Sequence, residues 1–210
     1  MASFADAIEP QQDLGDALSF LVKSLIEEAG QTFLYGHPVM VNLTDGGVQI
    51  WDGTAGGATH LIAGIAIQNA QNLGTTGAGA PSGFSPVLGP GSTIGSYAAN
   101  SAQALAVITP PMVPISDGFA RFVVASPTIR FRARLGTSAT VTPVATTNQI
   151  VTTSLGLTKD TGNNFWYVDT NKTGASAVLT IVDLDPLEPV GTVGGHVIFT
   201  FLPADVSIIG

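Results

Sequence analysis

The residues of this 210-residue chain that could carry acid–base or metal chemistry are few and widely spaced. The three histidines, His37, His60 and His196, are far apart, and none has a second histidine or a carboxylate at the spacing of a helical metal site. There is no cysteine, which removes thiolate nucleophiles and Cys-ligated zinc. The sequence therefore indicates no catalytic, cofactor-binding or metal-binding residues, and we expect a protein that is not an enzyme.

Two overlapping glycine-rich patterns at residues 89–95 resemble known motifs but do not have the required spacing. The run Gly91-Ser92-Thr93-Ile94-Gly95 has the wrong spacing for the G-x-S-x-G elbow of serine hydrolases. The glycines at 89, 91 and 95 have one residue too many for a dinucleotide fingerprint, and no strand–turn–helix pattern surrounds them. Both stretches are typical of a loop.

An acidic cluster near the C-terminus has two interpretations. Asp183, Asp185 and Glu188 offer carboxylate oxygens, which calcium prefers as ligands. Pro186 and Pro189 interrupt the cluster, so a rigid turn is the favoured interpretation.

Arginine is concentrated in one predicted strand. Arg130, Arg132 and Arg134 alternate with apolar residues, which places three guanidinium groups on one face of a strand. Together with Arg121 they make up four of the seven basic residues. In an acidic chain such a row suits pairing with carboxylates, either on this chain or on a partner. These four arginines are candidate interface residues, and a solvated strand face balanced by nearby acids is the alternative.

The elements that would position these groups begin with an amphipathic helix. Apolar residues recur at three- and four-residue spacings from about Asp13 to Ala29, which predicts an α-helix that ends at Gly30. Leu18, Leu21 and Leu25 on its apolar face are further candidate interface residues. The helix would pack on its own β-domain or on a neighbouring subunit.

From Gln31 onward the hydrophobic period changes to two, which predicts a mainly β fold, an antiparallel sandwich or a barrel-like domain. The clearest hairpin joins Val39–Leu43 to Val48–Trp51 through Asp45-Gly46. The expected organisation is an N-terminal segment, 1–30, followed by a β-rich domain, 31–210. Strands are predicted near the following ranges: 32–43, 47–52, 60–68, 104–109, 119–125, 128–135, 139–145, 148–157, 164–170, 176–183 and 193–202.

A long Gly/Pro-rich arm, at about 73–100, interrupts this β-rich domain. Seven glycines and three prolines fall in those 28 positions, inside a stretch from Leu61 to Ser116 that has no charged residue and no histidine. Disordered segments are usually charged, so one interpretation is an arm ordered by contact with a partner. A flexible linker is the other.

Composition limits the partners. Charged residues are 10% of the chain against roughly 25% in soluble proteins, and mean hydropathy is +0.38, so the surface favours association. A net charge of -8 argues against nucleic acid as a partner. We find no signal-peptide pattern and no apolar run long enough to span a bilayer, so we expect synthesis in a cytoplasm without membrane insertion.

Two stretches resemble tailed-bacteriophage capsid decoration proteins, also called cement or head auxiliary proteins. The first runs from Gly36-His37-Pro38-Val39 through Trp51 to His60–Ala70, a hairpin followed by a strand with a small-residue tail. The second runs from Phe165–Asp169 through Val182–Pro186 to His196–Phe201, with an acidic Pro turn before a closing strand. Together they cover roughly half of the chain. The N-terminal helix and the 73–100 arm have no counterpart that we can match.

The resemblance implies a structural virion protein without cofactors, on the capsid exterior, that binds the major capsid protein and stabilises the shell across subunits. It also implies a homo-oligomer, with a trimer favoured. The first alternative is a tail, baseplate or fibre subunit. The second is a carbohydrate-binding β-domain, which would need Trp51, Tyr97, Trp166 and Tyr167 to cluster in solvent with Asp160 and Asp169.

Overall fold

The computed structural model describes residues 7–11, 21–28, 30–42, 46–55, 60–70, 119–137 and 141–207, and this part of the chain is mainly β, as the sequence predicts. Three short 3-10 turns lie at Asn148–Ile150, Gly174–Ser176 and Pro203–Asp205. No helix among the described residues is long and apolar enough to cross a membrane. The strands are β1 Glu9–Pro10, β2 Val22–Ile26, β3 Pro38–Val41, β4 Val48–Ile50, β5 Ile62–Ala66, β6 Phe119–Val124, β7 Phe131–Thr137, β8 Thr142–Pro143, β9 Ser154–Asp160, β10 Phe165–Asp169, β11 Leu179–Leu184 and β12 His196–Phe201.

The C-terminal sheet closes on itself around β7. Its strand order is β7-β10-β9-β11-β12, and β12 pairs back with β7. A ring of five strands cannot alternate direction at every step, so one pair must be parallel, and that pair is β7–β10. The short strands β1 and β8 also pair with β7, which makes it the most heavily paired strand of this sheet.

The N-terminal sheet has the order β2-β6-β5-β3-β4, with every ladder antiparallel. Its two edges approach each other just beyond β2. Glu27 forms a parallel bridge with Val48, and the Glu28 N–H donates to the Val48 carbonyl at 2.9 Å. These contacts join Val48 of the edge strand β4 to the residues that follow β2.

Two apolar cores follow from this arrangement. The larger core combines the inner residues of the C-terminal ring with Met40, Ile62, Ile65 and Val123 of the N-terminal sheet. The smaller core fills the other face of the N-terminal sheet and is built on Phe33 and Phe122 with short aliphatic residues. The shared larger core fixes the two sheets against each other.

Polar and aromatic contacts add to this junction. The rings of Trp51, which follows β4, and Trp166, on β10, have centroids 5.3 Å apart. Lys172 Nζ donates to the Gly53 carbonyl at 3.2 Å and to the Leu157 carbonyl at 2.8 Å. Burial lowers the pKa of Lys172, although the nearby carboxylates of Asp169 and Asp52 oppose the shift. One side chain thus joins the segment after β4 to β9.

The predicted helix from Asp13 to Ala29 is wrong for the residues that the structure describes. Residues 22–26 form β2, paired antiparallel with β6, and Leu25 packs against the smaller core. The spacing that suggested a helix also suits a short strand, since residues 22, 24 and 26 share one face and 23 and 25 the other. Backbone pairing with β6 and burial of Leu25 outweigh helical propensity. Residues 13–20 of the predicted helix, Leu18 among them, lie outside the described residues.

The hairpin prediction is confirmed. Val39 pairs with Ile50 and Val41 with Val48, and the Asn42 N–H donates to the Gly47 carbonyl at 2.8 Å. Gly46 has a φ of +79°, the left-handed backbone that the Asp-Gly pair was expected to supply. The 73–100 arm and the strand expected near 104–109 lie outside the described residues.

Strands β5 and β6 pack closely at Gly64, and a substitution there tests this packing. A Cβ at this position would lie 2.2 Å from the Val123 carbonyl oxygen and 2.4 Å from a Phe122 ring carbon. We expect Gly64→Ala to lower the free energy of unfolding by about 3 kcal/mol, as overpacking does. Denaturant unfolding measures it. Gly162→Ala, whose Cβ would meet nothing nearer than 3.4 Å, is the control and should change it by less than about 0.5 kcal/mol. Equal effects would contradict the packing described here.

Candidate functional site

The arginine row lies on β7 as the alternation predicts. Phe131, Ala133 and Leu135 are fully buried in the larger core, whereas Arg132 and Arg134 are half-buried on the opposite face. Arg130 is exposed just before the strand. The row is therefore graded, from an exposed guanidinium at one end to partly covered ones further along.

Arg132 is the centre of an ionic cluster within this chain. Its Nε donates to Asp185 Oδ2 at 2.6 Å, and its Nη2 lies 3.5 Å from Glu188 Oε1. Its Nη1 is 3.9 Å from Glu9 Oε2 on β1. Asp185 is only 4% exposed, so this bond is formed largely away from water. The arginine row is expected to pair with carboxylates of this chain or of a partner. Arg132 contacts carboxylates of this chain.

His196, the first residue of β12, completes the cluster. Its Nδ1 lies 2.5 Å from Glu188 Oε1, and its backbone N–H donates to Glu188 Oε2 at 2.8 Å. His196 Nδ1 also lies 2.9 Å from Arg132 Nη2. This nitrogen donates to Glu188 when it carries a proton and accepts from Arg132 when it does not, so the tautomer of His196 decides which of the two bonds forms. Three strands, β1, β7 and β12, and the loop after β11 therefore meet at Arg132.

The electrostatics of the cluster favour ionised carboxylates. Burial by itself raises the pKa of Asp185, but hydrogen bonds from the Leu187 N–H and from Arg132 outweigh it, and its pKa is lowered. Burial likewise raises the pKa of Glu188, and the backbone and side chain of His196 lower it to below its ordinary value. Both acids are thus held as anions at neutral pH.

The same cluster has the donor set of a metal site. One ligand atom each from Asp185, Glu188 and His196 lies within 4.8 Å of the others. The Arg132 guanidinium contacts all three, so a positive charge already stands where a metal ion would be needed. The arrangement favours the rigid turn over calcium binding.

The ionic cluster anchors the connection between β11 and β12, residues 185–195. We call this connection the apolar loop. It has its own hydrogen bonds: the Glu188 N–H donates to the Asp185 carbonyl at 3.1 Å, and the Thr192 N–H to the Pro189 carbonyl at 3.1 Å. Such short-range bonds define two consecutive tight turns.

The far side of the apolar loop is tied to the segment after β8. The Gly194 N–H donates to the Val144 carbonyl at 2.8 Å, and the Thr146 N–H to the Thr192 carbonyl at 3.1 Å. Arg134 Nη1 donates to the Gly194 carbonyl at 2.8 Å, so the second arginine of the row holds this end as Arg132 holds the other. The loop is fixed at both ends.

This fixed loop presents apolar side chains to solvent. Leu187 is 87% exposed, Val190 57% and Val193 67%. Exposed aliphatic residues are common singly, but three within seven positions of one well-anchored loop form a patch. The sequence predicts only a turn in this stretch and does not indicate that these residues are exposed. The signal was present in P-L-E-P-V-G-T-V-G-G, where an apolar residue recurs between turn-forming residues without strand or helix period.

The other candidate interface residues lie apart from this patch. Arg121 is exposed on β6, and its strand neighbour β2 follows Leu21, which is 51% exposed. Leu25 is instead turned against the smaller core. The structure brings Arg132 and Arg134 together at the apolar loop, and it places Arg121 and Leu21 on the N-terminal sheet. Whether these residues contact a partner stays a prediction.

The aromatic platform considered for sugar binding is not formed by the aromatic residues that the structure describes. Trp51, Trp166 and Tyr167 are at most 3% exposed. Tyr97 lies outside the described residues. Asp160 and Asp169 are also buried. Asp160 accepts a hydrogen bond from the Gly162 N–H, and Asp169 accepts one from the Asn171 N–H. These groups therefore serve folding.

The three histidines have three separate partners. His37 Nε2 is 2.8 Å from the Asn164 carbonyl oxygen, and burial lowers the pKa of this histidine. His60 Nδ1 is 2.7 Å from Asp52 Oδ2, and His196 contacts Glu188. Each histidine thus supports a different local contact.

No family model matches the chain, and neither the search of curated proteins nor that of solved structures found a match.

Arg132 can be tested directly. We expect Arg132→Met to lower the free energy of unfolding by about 2–3 kcal/mol, because buried Asp185 loses its charged partner while its cost of burial remains. Arg130→Met removes an exposed guanidinium from the same row and should cost less than about 1 kcal/mol. Denaturant unfolding of both variants at neutral pH is the measurement, and equal losses would contradict the central position of Arg132.

The pH dependence follows from the lowered pKa values. The ordinary pKa values are 3.8 for Asp185 and 4.5 for Glu188, and folding lowers both. The ionised carboxylates therefore stabilise the folded chain at pH values above these ordinary pKa values. This stabilisation is lost as the pH falls through the folded-state pKa values. The stability gap between wild type and Arg132→Met should therefore shrink between about pH 6 and about pH 3. A gap that stays constant over this range would exclude Asp185 and Glu188 as its source.

Proposed function

We propose that this chain is a structural virion protein that binds the outside of an assembled phage capsid and stabilises it through contacts between subunits. The observation that carries the proposal is the apolar loop: the half-buried Arg132 and Arg134 hold its two ends, and it exposes Leu187, Val190 and Val193. A rigid apolar element binds protein at little entropic cost, because it is ordered before binding.

The use of charge supports the same proposal. Charged residues are only 10% of the chain, and the Arg132 guanidinium is paired with Asp185 and Glu188 within the fold. The surface left for contact is thus poor in charge, which favours permanent association over a free monomeric state. The proposed partners are the major capsid protein and further copies of this chain, with a trimer favoured.

The proposed mechanism is mass action. A protein that binds the assembled shell and not its separate subunits stabilises the shell by the free energy of binding. In this proposal apolar contact supplies the affinity. The exposed Arg121 and Arg130 would lie at the edge of the interface, where their charges orient the bound protein on the capsid. No catalytic step is involved.

The resemblance to decoration proteins favours the capsid over the alternative of a tail, baseplate or fibre subunit. The carbohydrate-binding alternative is disfavoured by the burial of Trp51, Trp166 and Tyr167, which leaves these rings no face for a sugar.

Co-sedimentation with capsid shells that lack this chain tests the proposal. We expect the purified protein to saturate the shells at a fixed stoichiometry and to raise their melting temperature, because it adds contacts between neighbouring subunits. Bovine serum albumin, an unrelated acidic protein, is the control for nonspecific trapping. If the chain stays in the supernatant at every concentration, the capsid proposal is wrong and tail assemblies become the next substrate to test.

A further inference from the structure

His37 lies where the N-terminal sheet meets the turn between β9 and β10. The residue is 2% exposed, and its Nε2 lies 2.8 Å from the Asn164 carbonyl oxygen of that turn. A carbonyl oxygen only accepts hydrogen bonds, so Nε2 carries the proton and Nδ1 keeps a lone pair. Among the described residues this Nδ1 has no hydrogen-bond partner. The neutral ring is therefore the form that this site accommodates.

The charged groups around His37 do not compensate for a second proton on the ring. Burial lowers the pKa of this histidine; the hydrogen bond to Asn164 opposes the shift, and the positive charge of Lys159 on β9 adds to it. Strands β3 and β5, which position His37, contain no charged residue. A protonated ring would thus depend on the acidic groups nearby.

Three carboxylates belong to the elements around this ring, and each is engaged elsewhere. Both oxygens of Asp160, at the end of β9, accept hydrogen bonds from within their own turn. Asp52, which follows β4, contacts His60. Glu9, on the N-terminal segment that packs beside the residue before His37, contacts Arg132. A protonated Nδ1 would find no acceptor among them.

The backbone of His37 is fixed, whereas the turn that covers its ring is exposed. The His37 N–H donates to the Leu34 carbonyl at 3.0 Å, and its carbonyl accepts from the Ala66 N–H at 2.9 Å. Residues 161–164 of the turn are all exposed. A protonated ring would therefore reach water through movement of the turn, because β3 is held in its sheet.

We propose that His37 is a pH-sensitive contact between the two sheets: when Nδ1 takes up a proton, the turn between β9 and β10 separates from His37 and the junction opens to water. An imidazolium with one unpaired N–H is costly to bury, and the water that enters supplies the missing acceptor. The junction thus has a closed form near neutral pH and an open form in mild acid. This inference does not depend on capsid binding.

The direction of the pH effect follows from the lowered pKa of His37. The unfolded chain, in which this histidine has its ordinary pKa of 6.5, binds the proton more tightly than the closed form does. The stabilisation is complete above pH 6.5 and is lost as the pH falls from there towards the lower folded-state pKa. Relative to a variant without this histidine, the unfolding equilibrium constant should rise by up to about tenfold per pH unit.

Tryptophan fluorescence reports the opening. The two tryptophans of the chain, Trp51 and Trp166, both lie at this junction and are at most 3% exposed. We expect wild-type emission to move to longer wavelength between about pH 7.5 and about pH 5, because water reaches the rings. His37→Gln keeps a donor for the Asn164 carbonyl but does not titrate, so its emission should stay constant. His60→Gln is the matched control, since His60 lies beside Trp51, and it should respond as wild type does.

An NMR titration of the wild type provides a test that needs no variant. The ring Cε1–H resonance of His37 should titrate below pH 6.5, with the same midpoint as the change in emission, because one proton causes both. Equal midpoints support the proposal even where His37→Gln fails to fold, and unequal midpoints reject it.

The remaining outcomes are equally decisive. Wild-type emission that does not change, a change that persists in folded His37→Gln, or one that only His60→Gln abolishes would each overturn the proposal. Titration of the His37 ring without any change in emission would show that the protonated ring stays in a closed junction, which also overturns it.

Discussion

The bond between Arg132 and Asp185 is the constraint on which the candidate surface depends. A carboxylate that is 4% exposed is costly to bury unless a cation and hydrogen bonds compensate for its lost hydration, and the 2.6 Å contact with the guanidinium does so. The same guanidinium reaches Glu188, which in turn holds His196 at the start of β12. The turn after β11 therefore has one low-energy arrangement, and its exposed side chains follow from it.

The topology explains why this cluster can form. A closed ring of five strands brings β7 beside β12, which is the last strand of the ring in sequence, and Arg134 pairs with His196 in that ladder. The last residue of the loop before β12, Gly195, therefore lies beside Leu135 of β7, and Arg132 of the same strand binds Asp185 at the other end of the loop. Closure of the ring and anchoring of the loop are thus consequences of the same pairing, because a strand that is paired on both sides fixes what precedes it.

The distribution of charge follows a similar logic. This chain has few charged residues that could keep its surface hydrated. Two of them, Arg132 and Lys172, form contacts within the fold. The surface near the apolar loop is consequently neutral and partly aliphatic. Exposed aliphatic surface of this kind is typical of sites that bind protein.

The amino-acid sequence by itself determined the local alternation: a mainly β chain, the hairpin of β3 and β4, and the opposed faces of β7, because a two-residue period is set by backbone geometry. It could not determine residues 22–26, where helix and strand patterns coincide and pairing with β6 decided for a strand. Nor could it choose the partner of Arg132, since Glu9, Asp185 and Glu188 are distant along the chain. Only tertiary structure brought them together, because ionic contacts depend on distance in space and carry no periodic signal in sequence.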